Sequence, residues 1–192
     1  ARSVQPYVEV IAEGHYADEV SGRVSGAPIA LSGLNDLRND ASLNVNVLTA
    51  MARGRTLALV ARGSGFLRAR EQAEREVLAA FGVHGNRGLP PFSALSLAGS
   101  GEGHQVLAAL SALVSHGSDA AGVAALLASI QGDIARSGTI ASEATRAVLA
   151  ASAAQLNVQQ VARHLAAQAG RSPSLDTAMK IGAWIDTDGD GV

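Results

Sequence analysis

From residue 43 to residue 170 apolar side chains return every three or four positions, and Gly82, Gly117, Gly138 and Gly170 interrupt the pattern. That period gathers them on one stripe of a helix, so the chain must fold as helices that bury their stripes against one another. Val47, Met51, Ala58 and Ala61 share the first face, with Leu48 and Leu59 beside it. Ser64 is placed to cap a second helix, whose stripe runs through Phe66, Ala69, Ala73, Val77 and Phe81. Val106, Leu107, Leu110, Leu113 and Val114 form a third. Ser118-Asp119 opens the clearest one, with Val123, Leu126, Leu127, Ile130 and Ile134 on its face and Gly138 at the left-handed position beyond its end. Ala144, Val148, Ala151 and Leu156 make the next stripe. Asn157 breaks it, Val158, Val161, Ala162 and Leu165 continue, and Pro173 closes the helical part. Alanine is about a fifth of the chain, and small faces let helices approach at the short end of the usual 8–10 Å. The expected fold is mainly α, a bundle of five or six short helices.

Ahead of this bundle the period is two. Tyr7 to Ala12 alternates, with Val8 and Val10 on one face, and Pro28-Ile29-Ala30-Leu31 reads as a second short strand. Two or three such strands cannot bury a core unaided, so they either cap the helices or belong to a β domain. The favoured expectation is that residues 1–40 are the end of a β domain that begins upstream. Residues 41–172 are the bundle, and 173–192 a C-terminal linker.

Composition removes several functions. The pI of about 6.2 and net charge of −2 argue against nucleic acid, for which a domain pI above about 9 is usual. The absence of cysteine excludes disulfides, Cys-ligated zinc and thiol catalysis. No apolar run nears the roughly 20 residues that span a bilayer, and no signal peptide is visible, so a mature soluble piece is expected. Trp184, Tyr7 and Tyr16 are too few and dispersed to form a sugar-stacking platform, and Trp184 is expected to pack onto the bundle.

Among local motifs the most specific is Asp186-Thr187-Asp188-Gly189-Asp190-Gly191-Val192. Carboxylates at alternating positions followed by a turn glycine are what a hard cation requires. Asp186, Asp188 and Asp190 match positions 1, 3 and 5 of a Ca²⁺ loop, and the carbonyl of Val192 matches position 7, although the bidentate carboxylate near position 12 is absent. The other reading is an acidic tail. His15, His84, His104, His116 and His164 show no ligand spacing and are expected to be structural or solvent-facing. Gly99 to Gly103 lacks the strand and lysine of a phosphate loop and reads as a flexible helix entry. The arginines between residues 51 and 76 are balanced by Glu71, Glu74 and Glu76, which suits a solvated helix face with Arg70–Glu74 and Glu71–Arg75 pairs. Asn44 and Asn46, at the passage from strand to helix, suit capping and turn formation. The loop from His84 to Ser100 is long for a compact domain, hence functional or mobile.

The order Gly14-His15-Tyr16, Glu19-Val20-Ser21-Gly22, Asn44-Val45-Asn46-Val47-Leu48-Thr49, then Phe66, Glu76 and Phe81 before Gly82-Val83, resembles a group of bacterial secreted proteins and lipoproteins. In these an immunoglobulin-like or carboxypeptidase-regulatory-like β domain leads into an α-helical module. The Asp-rich end resembles the start of thrombospondin type 3-like or dockerin-like calcium repeats. Ala50 stands where a histidine is common in the group, so no role passes to that position. The resemblance implies export, exposure at the outer-membrane surface, outside the cell or in the periplasm, and a modular protein with more domains on both sides, and it implies no enzymatic activity. The expected function is therefore a non-enzymatic structural or interaction module of a bacterial cell-surface protein. Ca²⁺ at Asp186, Asp188 and Asp190 would stiffen the linker, and the partners would be neighbouring domains or another surface protein. Two alternatives follow. One is a peptide- or protein-binding module whose groove is formed by the small-residue faces and the 84–100 loop. The other is a hydrolase in which Glu13, Asp18 and Glu19 converge.

Overall fold

A computed structural model of the chain describes residues 7–36, 38, 42–83, 88–170 and 180–181. It is mainly α, and its named elements among the described residues are a two-stranded antiparallel sheet of β1 (Tyr7–Gly14) and β2 (Ile29–Asp36) ahead of six helices. The helices are α1 (Val47–Ala61), α2 (Phe66–Ala80), α3 (Glu102–Ser115), α4 (Ala120–Ser137), α5 (Glu143–Gln155) and α6 (Val158–Gln168). One 3₁₀ turn, Phe92–Ala94, interrupts the long loop before α3.

The centre of the molecule is α3. Every residue from Val106 to Ser115 is buried, as expected of a helix that is apolar nearly all round. Helices α1, α4 and α5 lie against it, and α1 also packs on α2, α4 and β2. Small residues set the closest approach, because a Cβ added at Gly54 of α1 would stand 2.9 Å from that of Ala135 in α4. No single helix among the described residues is long and apolar enough to cross a membrane.

Helix ends follow local chemistry. Asp119, Ser142 and Asn157 each cap the helix that follows by accepting from a backbone N–H. Gly138, at φ 80°, ends α4 in the left-handed region. The expected cap at Ser64 is not used, and α2 starts instead from Gly65, with no side-chain cap. Two stripes are also phased differently. In α5 the buried face is Thr145, Leu149, Ser152 and Ala153, and Val148 is exposed. In α1 it is Leu48, Met51, Ala52, Arg55, Thr56 and Leu59, whereas Ala61 faces solvent. An Ala-rich helix offers several faces of similar hydrophobicity, so its neighbours choose the phase.

Arg55 explains the shift in α1. Its guanidinium is buried and grips Glu76 of α2 through both carboxylate oxygens, Nε to Oε2 at 2.5 Å and another nitrogen to Oε1 at 3.1 Å. Gln72 donates to the same carboxylate at 2.8 Å. Part of the arginine-rich stretch is thus an internal tie and not a solvated face. Arg53 reaches Glu9 of β1 at 2.5 Å, and Tyr7 stacks on Phe66 with ring centroids 4.6 Å apart, so the sheet is fastened to α1 and α2. Strand β2 is buried at Ile29 and Leu34, and Ile29 belongs to the same apolar core as the helices. Strand β1 is largely exposed.

Candidate functional site

Residues 15–28 connect the two strands by an excursion that folds back on itself. A single bridge pairs Ala17 with Val24, and Gly22, at φ 71°, donates to the Asp18 carbonyl at 2.8 Å. The turn drives Glu19 inward while Asp18 stays at the surface side, its Oδ1 accepting from the Val20 amide at 2.9 Å. Glu19 is only 2% exposed. Two distant helices hold it. His164 of α6 meets the Glu19 carbonyl through Nδ1 at 3.0 Å, and Ser111 of α3 donates its hydroxyl to Oε1 at 2.9 Å. Gly22 makes room for this, since a Cβ there would lie 2.9 Å from the His164 ring. Oε2 of Glu19 is buried with no hydrogen-bond partner among the described residues.

Beside Glu19 is a partly open cavity of about 580 Å³. The sheet contributes Ala12, Ile29 and Leu31, the excursion Tyr16, Ala17 and Glu19, and the approach to α1 residues 43–47. Leu95, Ser96 and Leu97 of the long loop, four residues of α3, Val123 of α4 and Gln168 of α6 complete the wall. Among the described residues Glu19 is the one acidic residue that lines it, and no Arg, Lys or His does. Burial pushes the Glu19 carboxyl up to about 7, against the partial offset of its own backbone amide and the Ser111 hydroxyl, with Asp18 adding to the rise. The Tyr16 phenol is raised by burial first and then by the negative charge of Asp18, Glu19 and Asp119.

Asn46 ties the described part of the long loop to α1. Asn46 caps α1 by accepting from the Thr49 amide at 3.0 Å, while the Thr49 hydroxyl accepts from the Asn46 amide at 2.9 Å, a reciprocal capping box. The remaining amide group of Asn46 donates to the carbonyls of Phe92 at 2.9 Å and Leu95 at 3.1 Å. Asn44 adds a backbone bond to Ser93 at 2.9 Å. The capping role expected of Asn46 is present, and with it an anchoring role that spacing along the chain does not reveal. Phe92 and Leu95 are buried, so this part of the 84–100 segment belongs to the core. The glycine run behind it is an entry to α3, with Gly101 as its N-cap residue; at Gly99 any Cβ would collide with the His104 ring.

The other candidate residues fall elsewhere. Glu13 lies on exposed β1, so of Glu13, Asp18 and Glu19 only Glu19 reaches the cavity. His15 meets the Ser25 carbonyl and His104 is bonded to Ser96, both local structural ties. Asp186, Asp188, Asp190 and Val192, the expected Ca²⁺ ligands, lie outside the described residues, as do His84 and Trp184. Among the described residues no group of three or more His, Asp or Glu is placed to hold a metal ion. Ser111 was missed because one serine in an apolar stripe reads as a tolerated small residue. Its position one turn after Leu107 and three before Val114 is the signal that it faces inward. No known protein family, curated protein or solved structure matches the chain.

Proposed function

We propose that this chain is a non-enzymatic interaction module and that its recognition element is the cavity beside Glu19, which receives a compact, mainly apolar small molecule. The supporting observation is the cavity itself: its volume of about 580 Å³ lies within the 300–1,000 Å³ typical of small-molecule sites. Its wall is mostly aliphatic, with a few polar groups, again as such sites are built. The rigid anchoring of the loop by Asn46 favours a preformed pocket, which spares a ligand the cost of ordering its own wall. The exported, surface-exposed setting and the Ca²⁺-stiffened linker at Asp186, Asp188 and Asp190 join this reading through the sequence resemblance and motif.

A neutral, polarity-sensitive fluorophore such as Prodan tests the pocket. Saturable, single-site binding with a blue-shifted emission is expected, together with its loss in Leu97→Trp, which places a larger side chain on the cavity wall. No saturable binding, or equal binding by a folded Leu97→Trp protein, would overturn the reading. The linker is tested separately by calorimetry with CaCl₂ on a chain extended by about 15 residues, enough to pass the position-12 ligand of a Ca²⁺ loop. If added CaCl₂ produces no heat and no rise in melting temperature, the linker reading is refuted.

A further inference from the structure

Three features of the cavity wall bear on what kind of apolar molecule it takes. Among the described residues Glu19 is the one acidic residue lining it, with one carboxyl oxygen bonded to Ser111 and the other buried without a hydrogen-bond partner. Such an orphaned acceptor is costly in an apolar surrounding and is relieved by any donor brought to it. No cationic side chain among the described residues lines the wall to neutralise the carboxylate. The negative charges of Asp18 and Asp119 also reach this end of the cavity, where both oppose ionisation of Tyr16.

Building on the pocket reading, we propose that the cavity selects a cation, an apolar body carrying a protonated amine that donates to the carboxylate of Glu19. The acid is held ready for this from two sides. Ser111 holds Oε1 and His164 holds the backbone through the Glu19 carbonyl, which limits the ordering left for the ligand to supply. Oε2 itself is covered, so the carboxyl turns toward the cavity as the amine binds. An alcohol offers a weaker, uncharged hydrogen bond. A carboxylate ligand meets like charge with no basic group to receive it.

The test uses three ligands that share one apolar cage: 1-adamantanemethylamine, 1-adamantanemethanol and 1-adamantanecarboxylate. Their affinities are measured by calorimetry on the full chain at pH 8, where Glu19 is ionised, and repeated with Glu19→Gln. The amine is expected to bind about tenfold or more tighter than the alcohol, and the carboxylate more weakly still. In Glu19→Gln the preference for the amine over the alcohol should collapse to within about threefold. Equal affinities in the wild-type protein, or an unchanged order in Glu19→Gln, would overturn the cationic selection and leave the pocket standing. If none of the three binds and Prodan does not either, the pocket itself fails. The wild-type order needs no variant, so it decides the matter even if Glu19→Gln folds poorly.

Discussion

The buried carboxyl of Glu19 makes the stability of this protein depend on pH in a direction opposite to that of its ion pairs. The ordinary value for such a carboxyl is 4.5, and burial holds it at about 7 in the folded chain. Below pH 4.5 both folded and unfolded chains carry the proton, and Glu19 has no effect. Between 4.5 and 7 the unfolded chain releases its proton while the folded chain keeps it, so the folded state binds more protons and stability falls as pH rises. Above 7 both are ionised and the loss is complete. The interval corresponds to about 3 kcal/mol, a large part of the 5–15 kcal/mol that holds a typical domain together. Glu76 and Asp133 are held below their ordinary values and act in the reverse sense, so the wild-type curve alone mixes the two. The measurement is therefore a difference: urea unfolding of wild type and Glu19→Gln at half-unit steps from pH 4.5 to 8. Glutamine keeps an acceptor for Ser111 and has no proton to lose. The stability of Glu19→Gln relative to wild type should climb by about 3 kcal/mol across that range and level off above pH 7. Parallel curves would show that Glu19 titrates normally in the folded chain, and the argument from its burial would be wrong.

The remaining ties can be cut one at a time. Asn46→Ala removes a helix cap and strands the Phe92 and Leu95 carbonyls, at a cost of about 2–4 kcal/mol in urea unfolding. Asn46→Asp keeps the cap and loses only the donor, so it should recover the α1 share while amide exchange around residues 92–95 stays fast. Arg55→Ala leaves Glu76 unpaired, and because Glu76 is a quarter exposed the expected loss is about 2–3 kcal/mol, below that of a fully buried pair. Arg55→Lys, unable to make the two-point grip, should lose about 1 kcal/mol. Gly54→Leu forces α1 away from Ala135 of α4 and should cost about 2 kcal/mol by thermal unfolding, whereas no change would mean the two helices are not in close contact.

What the linear chain determines here is whatever depends on neighbours three or four residues apart. Helix number, the glycine endings at Gly138 and Gly170, and the caps at Asp119 and Asn157 all follow from periodicity and from side chains that bond their own backbone. The short strands are legible for the same reason. Phase within an Ala-rich helix is not. Alanine faces differ too little in hydrophobicity to choose among themselves, and the α5 face fell to Thr145, Leu149 and Ser152 because of what packs there, leaving Val148 outside. The site is the extreme case. Glu19 stands 92 residues from Ser111 and 145 from His164, and nothing local to any of the three says that they meet. The same holds for Arg55 and Glu76, whose joining takes part of a charge run that reads as solvated into an internal grip. A carboxyl oxygen without a partner has no signature in sequence, since both its burial and its want of a partner among the described residues arise only when a turn, a sheet and several helices close around it.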